Sequence, residues 1–425
     1  MSATVDIQEE EQVVAKNWTT NLRQHASGDK VIWALVVLLT LVSLLAVYSA
    51  TGSLAYKNYK GNTEVYLFKQ VVFILIGIAV IYFAHRVNYT VYAKVATVLF
   101  ILTIPLLMYT LFFGVTMNEG SRWIRLPIIN MTMQTSDLAK LALFMYLAKV
   151  LSRKQDVIKD FKKGFLPLII PVGIVCALIA PANLSTALLL GASCLMLLFI
   201  GRASVKHLLM VVGIACIPIV FLIVSAVVRH SATEEEVSAK KAAGSGVLVR
   251  WNTWVGRVEN FIYGGKGADN DEMYQTNQAK IAIAKGGLLG VGPGNSTTRD
   301  YLPQAYNDFI FAIIIEEYGV FGGMFIVFFY LVFLYRCIRV FKRCPYAFGA
   351  FLALGLSFTL AIQAIANMAV TVNLFPVTGV TLPLVSMGGS SFLFTCLAIG
   401  IILSVSRNVE RQEGKTVQPV PVTED

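Results

Sequence analysis

The sequence predicts an all-α polytopic membrane protein of about ten transmembrane helices, with a large extracytoplasmic loop between the seventh and eighth. Three observations carry this. Of the 425 residues, 56% are hydrophobic and 14% are charged, whereas soluble domains carry roughly 25% charged residues. Several runs exceed about 18 residues without a charge, the length that crosses a bilayer. Lys and Arg gather in the short loops between those runs, as cytoplasmic loops do. A soluble enzyme, a nucleic-acid-binding protein and a disordered chain are excluded, despite a formal net charge of +10.

Residues 1–30 are polar, slightly acidic and without a signal-peptide pattern, so they read as a cytoplasmic tail before an uncleaved first span. The transmembrane domain then runs over 31–406. Its spans are 31–50, 66–85, 95–116, 137–151, 165–181, 184–201, 207–228, 309–335, 346–373 and 389–406. The fourth is short and interrupted by Lys140. The fifth and sixth are separated by little more than Pro181–Asn183, giving a tight hairpin or one broken helix. Residues 229–308 form the large outer loop, and 407–425 a cytoplasmic tail. Small residues such as Gly349 and Gly355 allow close approach of a partner helix or serve internal packing.

The charge count orients the chain. With a cytoplasmic N-terminus, the inner loops hold Arg86, Lys94, Lys149, Arg153, Lys154, Lys159, Lys162, Lys163, Arg202, Lys206, Arg336, Arg339, Lys342 and Arg343. The short outer loops hold only Lys57, Lys60, Lys69, Arg122 and Arg125. Both termini are then cytoplasmic.

Polar residues inside apolar sequence are expensive and point to function. They gather in five places near the outer ends of spans. The first is Asn118–Ile124 followed by Gln134–Lys140, where Asp137 and Lys140 share a helix face at i, i+3. That pair is either structural or part of a site, and Arg122 beside Trp123 is either a ligand-binding group or an interfacial anchor. The second is Pro181–Thr186. The third is Tyr274–Gln278 with the glycine-rich Gly286–Ser296, which lacks the GK[ST] ending of a phosphate loop. Its glycines are expected to permit tight turns and close backbone approach. The fourth is Leu302–Ala312 with Glu316–Gly319, in which Asp308 stands where loop becomes helix. The fifth is Gln363 and Asn367, one helical turn apart, then Pro376–Pro383 and Ser386–Ser391, read as irregular backbone lining a cavity.

The four histidines, His25, His85, His207 and His230, fall outside these segments, which disfavours a His triad or a His metal site. The six cysteines show no CxxC spacing and read as packing residues. Any catalysis must rest on carboxylates and cations.

In this order the five segments resemble the SEDS family of cell-wall polymerases (RodA/FtsW/SpoVE-like) over about residues 31–406. The signatures are GSRWI at 120–124, LPQAYNDFIFA at 302–312 with EEYG after it, and LPLVSMGGSS at 382–391. The resemblance implies a peptidoglycan glycosyltransferase that polymerises lipid II at the outer face of the bacterial inner membrane. It also implies a class B penicillin-binding transpeptidase (FtsI-like) and other divisome membrane proteins as partners. It places the family's essential aspartate on Asp308 and its Glu and Lys on Asp137 and Lys140, the acid being one methylene shorter here. Gln304, Tyr306, Asn307 and Asn183 stand where the family usually has Glu, His, Thr and Asp. The TLPLVSMGGSS stretch is more similar to the division branch, acting at the septum, than to the elongation branch.

That reaction is attack by a sugar 4-hydroxyl on an anomeric carbon bearing a lipid pyrophosphate. It asks for a carboxylate base, here Asp308, which otherwise reads as a helix cap or a metal ligand. It also asks for positive charge at the leaving group, from Arg122, Lys140 or a divalent cation (magnesium or manganese). Direct displacement inverts the centre without a covalent intermediate or an organic cofactor. Trp123, Asp137, Tyr306, Asn307, Ser390 and Ser391 complete the expected substrate-binding set. The rival readings are an elongation-type polymerase, a lipid II flippase or transporter, and a scaffold without activity.

Overall fold

Backbone in hydrocarbon must satisfy its N–H and C=O groups within its own segment, so each of the ten apolar runs folds as a helix. The computed structural model describes residues 27–52, 54, 63–117, 120–125, 132–231, 247–263 and 271–416. In chain order the helices are α1 (Lys30–Ala50), α2 (Glu64–Arg86), α3 (Tyr89–Phe113), α4 (Thr135–Arg153), α5 (Leu166–Ile179) and α6 (Leu184–Ile200). They continue with α7 (Val205–Ser231), α8 (Val247–Tyr263), α9 (Asp271–Gly286), α10 (Ile310–Arg343), α11 (Ala347–Thr371) and α12 (Gly389–Thr416). Eight of the described helices are long and apolar enough to cross a membrane. α8 and α9 belong to the long loop. Between α3 and α4 stand three short antiparallel strands that composition did not reveal: β1 (Val115–Met117), β2 (Gly120–Arg125) and β3 (Thr132–Gln134).

α4 carries the charges that made it a weak span, and its position explains them. Ala139, Ala142, Leu143, Phe144, Leu147, Ala148 and Leu151 are all fully buried. A helix enclosed on nearly every side can hold charge that a lipid-facing helix cannot. Gly355 of α11 makes this packing possible: a Cβ there would lie 2.7 Å from the Phe144 ring and 3.1 Å from Leu197. Gly349 likewise meets Cys344 and Tyr89. Both glycines therefore serve the internal packing of the bundle. Close pairing of α2 and α12 rests on the same device, with Gly77 against Phe392 and Cys396, and Gly400 against Ala84 and Ile81.

The fifth and sixth spans form a hairpin, since Asn183 starts α6 as an N-cap and accepts from Thr186 N at 3.2 Å. Cys194, Cys337 and Cys396 are buried, Cys176 and Cys344 partly buried and Cys216 exposed.

α10 is two helices joined at Gly319, whose φ of 69° and ψ of −174° break the helix. Such a break frees backbone groups that must find partners. The glycine-rich segment supplies them. Val291 N and Gly292 N donate to the carbonyls of Glu316 and Glu317 at 2.9 and 3.0 Å, and Val320 N donates to Gly287 O at 2.9 Å. The close approach expected of these glycines is thus made to α10. A Cβ on Gly290, at φ +84°, would sit 2.2 Å from Glu317 O, whereas Gly294, at φ +77°, has open space around its Cα. Gly290→Ala is expected to cost well over 2 kcal/mol, and Gly294→Ala only about 1 kcal/mol of left-handed backbone strain. Thermal melting of the two variants in detergent checks this; equal melting temperatures would contradict it.

At the opposite end of the bundle from the five polar segments, Asp29 caps α1 and pairs with Arg336 of α10 at 2.6 Å. Ser406 of α12 accepts from Asp29 N at 3.0 Å. α12 continues ten residues past the end of the expected span at Ser406, to Thr416.

Candidate functional site

The turn 302–309 is held from beneath by its apolar positions. Leu302, Ala305 and Phe309 are buried with Ala50, Ala279, Ala282, Ala312 and Ile313 in a small second core. The polar residues between them, Gln304, Tyr306, Asn307 and Asp308, are partly buried. Gln304 takes a left-handed φ of 54°, and its carbonyl accepts from Asn307 N at 3.0 Å and Asp308 N at 3.2 Å. The facing segment 382–388 holds Leu384 at φ 63°, an unusual conformation for a bulky residue. The two strained turns are tied together: Met387 N donates to Tyr306 O at 3.0 Å and Ser386 Oγ to Asn307 O at 2.6 Å.

Asp308 stands one residue before the N-cap of α10, which is Phe309 and has no side-chain cap. A cap role therefore does not account for it. Asn367 fixes its backbone, donating from Nδ2 to Asp308 O at 2.8 Å and to Val380 O at 2.7 Å. One turn earlier on α11, Gln363 donates to Thr381 O at 3.0 Å and accepts from Lys140 Nζ at 3.5 Å. Lys140 in turn pairs with Asp137 at 2.6 Å, in the same helix as expected from their spacing. Burial pushes the Tyr306 phenol pKa up, with Tyr66 and Asp308 adding to the effect, so it remains a neutral donor beside the carboxylate.

Asp137, Lys140, Gln363 and Ser391 line a cleft between α4, α11 and α12. Ser390 is buried and accepts from Gln134 N at 3.3 Å, joining α12 to β3. Trp123 is half-buried on β2, paired with Gln134 across the sheet. Arg122 lies on the same strand, with its side chain outside the described residues. Three side-chain oxygens of the site are buried without a hydrogen-bond partner among the described residues: Asp137 Oδ2, Asn307 Oδ1 and Asn367 Oδ1. Each such acceptor costs about 1–3 kcal/mol if nothing donates to it.

Glu316 and Glu317 were visible in the sequence without a role. Both are buried. Glu316 Oε1 accepts from Thr298 N at 3.2 Å and Thr298 Oγ1 at 2.8 Å, and its Oε2 accepts from Ser296 Oγ. Glu317 accepts from Ser49 Oγ, which Arg299 also contacts at 3.0 Å. They anchor the start of the segment that ends in Asp308. Paired carboxylates within an apolar run were the available signal.

Among the described residues no three His, Cys, Asp or Glu converge to hold a metal, and Asp137 is already engaged by an ammonium. Among the described residues the donors form no protein-built cage for magnesium or manganese, which leaves a cation shared between one carboxylate and a bound phosphate as the arrangement such a site would hold.

Fold and site together define a polytopic helical membrane protein with a carboxylate-bearing polar site at one end of its bundle. The family model for the cell cycle proteins FtsW, RodA and SpoVE matches residues 29–411, and the chain belongs to that family. It is 32% identical to the probable peptidoglycan glycosyltransferase FtsW of Trichlorobacter lovleyi over 392 residues, 91% of this chain and 94% of that protein. It is also 32% identical to stage V sporulation protein E of Bacillus subtilis, over 90% of this chain and 98% of that one. The fold matches a chain of a solved peptidoglycan synthase complex that coordinates polymerization and crosslinking, with TM-score 0.68, 22% identity and coverage of 90% and 98%. Rod shape determining protein RodA of Thermus thermophilus matches with TM-score 0.61, 20% identity and coverage of 90% and 97%.

Proposed function

We propose that the chain is a peptidoglycan glycosyltransferase that extends glycan strands from lipid II at the outer face of the inner membrane, in septal wall synthesis. The observation that carries this reading is a set of buried acceptors without a hydrogen-bond partner among the described residues: Asn307 and Asn367 at the Asp308 turn, and Asp137 in the cleft of α4, α11 and α12. A hydroxyl-rich sugar supplies the donors they lack. The relatives named as peptidoglycan glycosyltransferases support the same reaction class.

In this mechanism the Asp308 carboxylate takes the proton of the attacking 4-hydroxyl as the glycosidic bond forms. Asn307 orients the sugar, and the Tyr306 phenol remains available as a donor. Lys140, held by Asp137, and Arg122 receive the negative charge of the departing pyrophosphate. Trp123, Ser390 and Ser391 shape the approach from the sheet and α12. The polar segments gather at one end of the bundle, which favours chemistry at one membrane face over transport across both.

Purified protein with a class B transpeptidase is expected to convert labelled lipid II into a ladder of strands in detergent, where flipping cannot score. Lipid II left unextended under conditions that keep both proteins folded would contradict the reading. For orientation, a membrane-impermeant thiol reagent is expected to label Tyr301→Cys and spare Lys159→Cys in a cysteine-free background, in cells with a permeabilised outer membrane. Both positions are exposed in the fold. The reverse pattern would invert the topology.

A further inference from the structure

At the end of the bundle remote from the site, α2 and α12 bring three guanidinium groups together. Arg407 is buried, 6% exposed, and donates from Nη2 to Arg86 O at 2.9 Å. Arg411 stands one turn further on the same face of α12, and the side chains acting electrostatically on Arg407 are Arg411, Arg86 and the Tyr92 phenol. Among the described residues none of the three is paired with a carboxylate. Of the acids nearest this end of α12, Asp29 is engaged with Arg336, Glu410 with Gly28 N, and Glu413 with Arg343.

Capping of α2 does not explain the cluster. The carbonyls at its C-terminus are already met, Ala84 O by Tyr92 Oη at 2.8 Å, Arg86 O by Arg407 and Val87 O by Ser404. That uses one of the five donors of Arg407, and its Nε is buried with no hydrogen-bond partner among the described residues. Like charges one turn apart on a helix repel, so a third guanidinium beside them calls for an anion.

We propose that Arg86, Arg407 and Arg411 form a binding site for the phosphate headgroup of an anionic phospholipid. Depth and surroundings fit a lipid. From Gly389 to Arg407, α12 rises about 27 Å at 1.5 Å per residue, close to the roughly 30 Å hydrocarbon thickness. The guanidinium groups then stand at headgroup level, where they grip phosphate bidentately. Phe83, 69% exposed, and Val87 give acyl chains an apolar flank. Tyr82 orients Arg86, accepting from Nη2 at 2.7 Å with its ring 5.1 Å from the guanidinium carbon.

The test is native mass spectrometry of the full chain in detergent, titrated with phosphatidylglycerol or phosphatidylcholine of matched acyl chains. Phosphatidylglycerol is expected to bind at least tenfold more tightly. The Arg86→Gln/Arg411→Gln double variant, altered at two exposed positions, is expected to lose that preference while melting like the wild type in phosphatidylcholine. If the pair lowers melting, Arg411→Gln alone must still reduce the preference several-fold. Inorganic phosphate at constant ionic strength should leave phosphatidylglycerol bound. Equal affinity for the two lipids, an unchanged preference in the variants, or displacement by inorganic phosphate would each overturn the proposal.

Discussion

Lys140→Met is expected to lower lipid II polymerisation by about 10²–10³-fold, the loss seen when one positioned donor to developing negative charge is removed. Stability must be separated from chemistry here. Asp137 is 4% exposed and its bond to Lys140 is 2.6 Å, so removing the ammonium alone leaves a buried carboxylate, at a cost of about 3–5 kcal/mol. The informative variant is therefore Asp137→Asn/Lys140→Met, which removes both charges together. It is expected to melt within a few degrees of the wild type and to remain inactive. Full activity in the double variant would show that the pair only packs α4 against α11.

Most spans were legible because charge-free runs of bilayer length have one solution, whereas the fourth, carrying Asp137, Lys140 and Lys149, showed only as a short interrupted run. The Asp137–Lys140 pair was legible because i, i+3 spacing fixes it within one helix. Asp308 was legible as a carboxylate at the mouth of an apolar run. What supports it was not. The anchor between Glu316 and Thr298 joins residues eighteen apart in sequence, one turn before a break in α10 that only tertiary contacts create. Asn367 was visible as a polar residue in a span, but its two backbone acceptors, at Asp308 and Val380, depend on how the irregular segments fold over α11. The strands β1 to β3 are three to six residues long, too short for alternation to separate them from loop. The extension of α12 was hidden because its last turns are polar, and Asp29, Arg336 and Ser406 become neighbours only in the bundle.

The central claim is that the Asp308 carboxylate takes the proton. Asn at this position keeps the shape and hydrogen-bonding capacity of the side chain and cannot accept a proton at neutral pH. The tie from Asn367 goes to the Asp308 backbone carbonyl, so the turn retains its anchor in the variant. Capping offers no rescue, because Phe309 occupies the cap position. Asp308→Glu, with its carboxylate moved by one methylene, is expected to retain partial activity. The most direct measurement is the initial rate of lipid II consumption by Asp308→Asn and wild-type protein, each purified with the same transpeptidase and matched in abundance and melting temperature. The account predicts a loss of about a hundredfold or more; a rate near that of the wild type would contradict it.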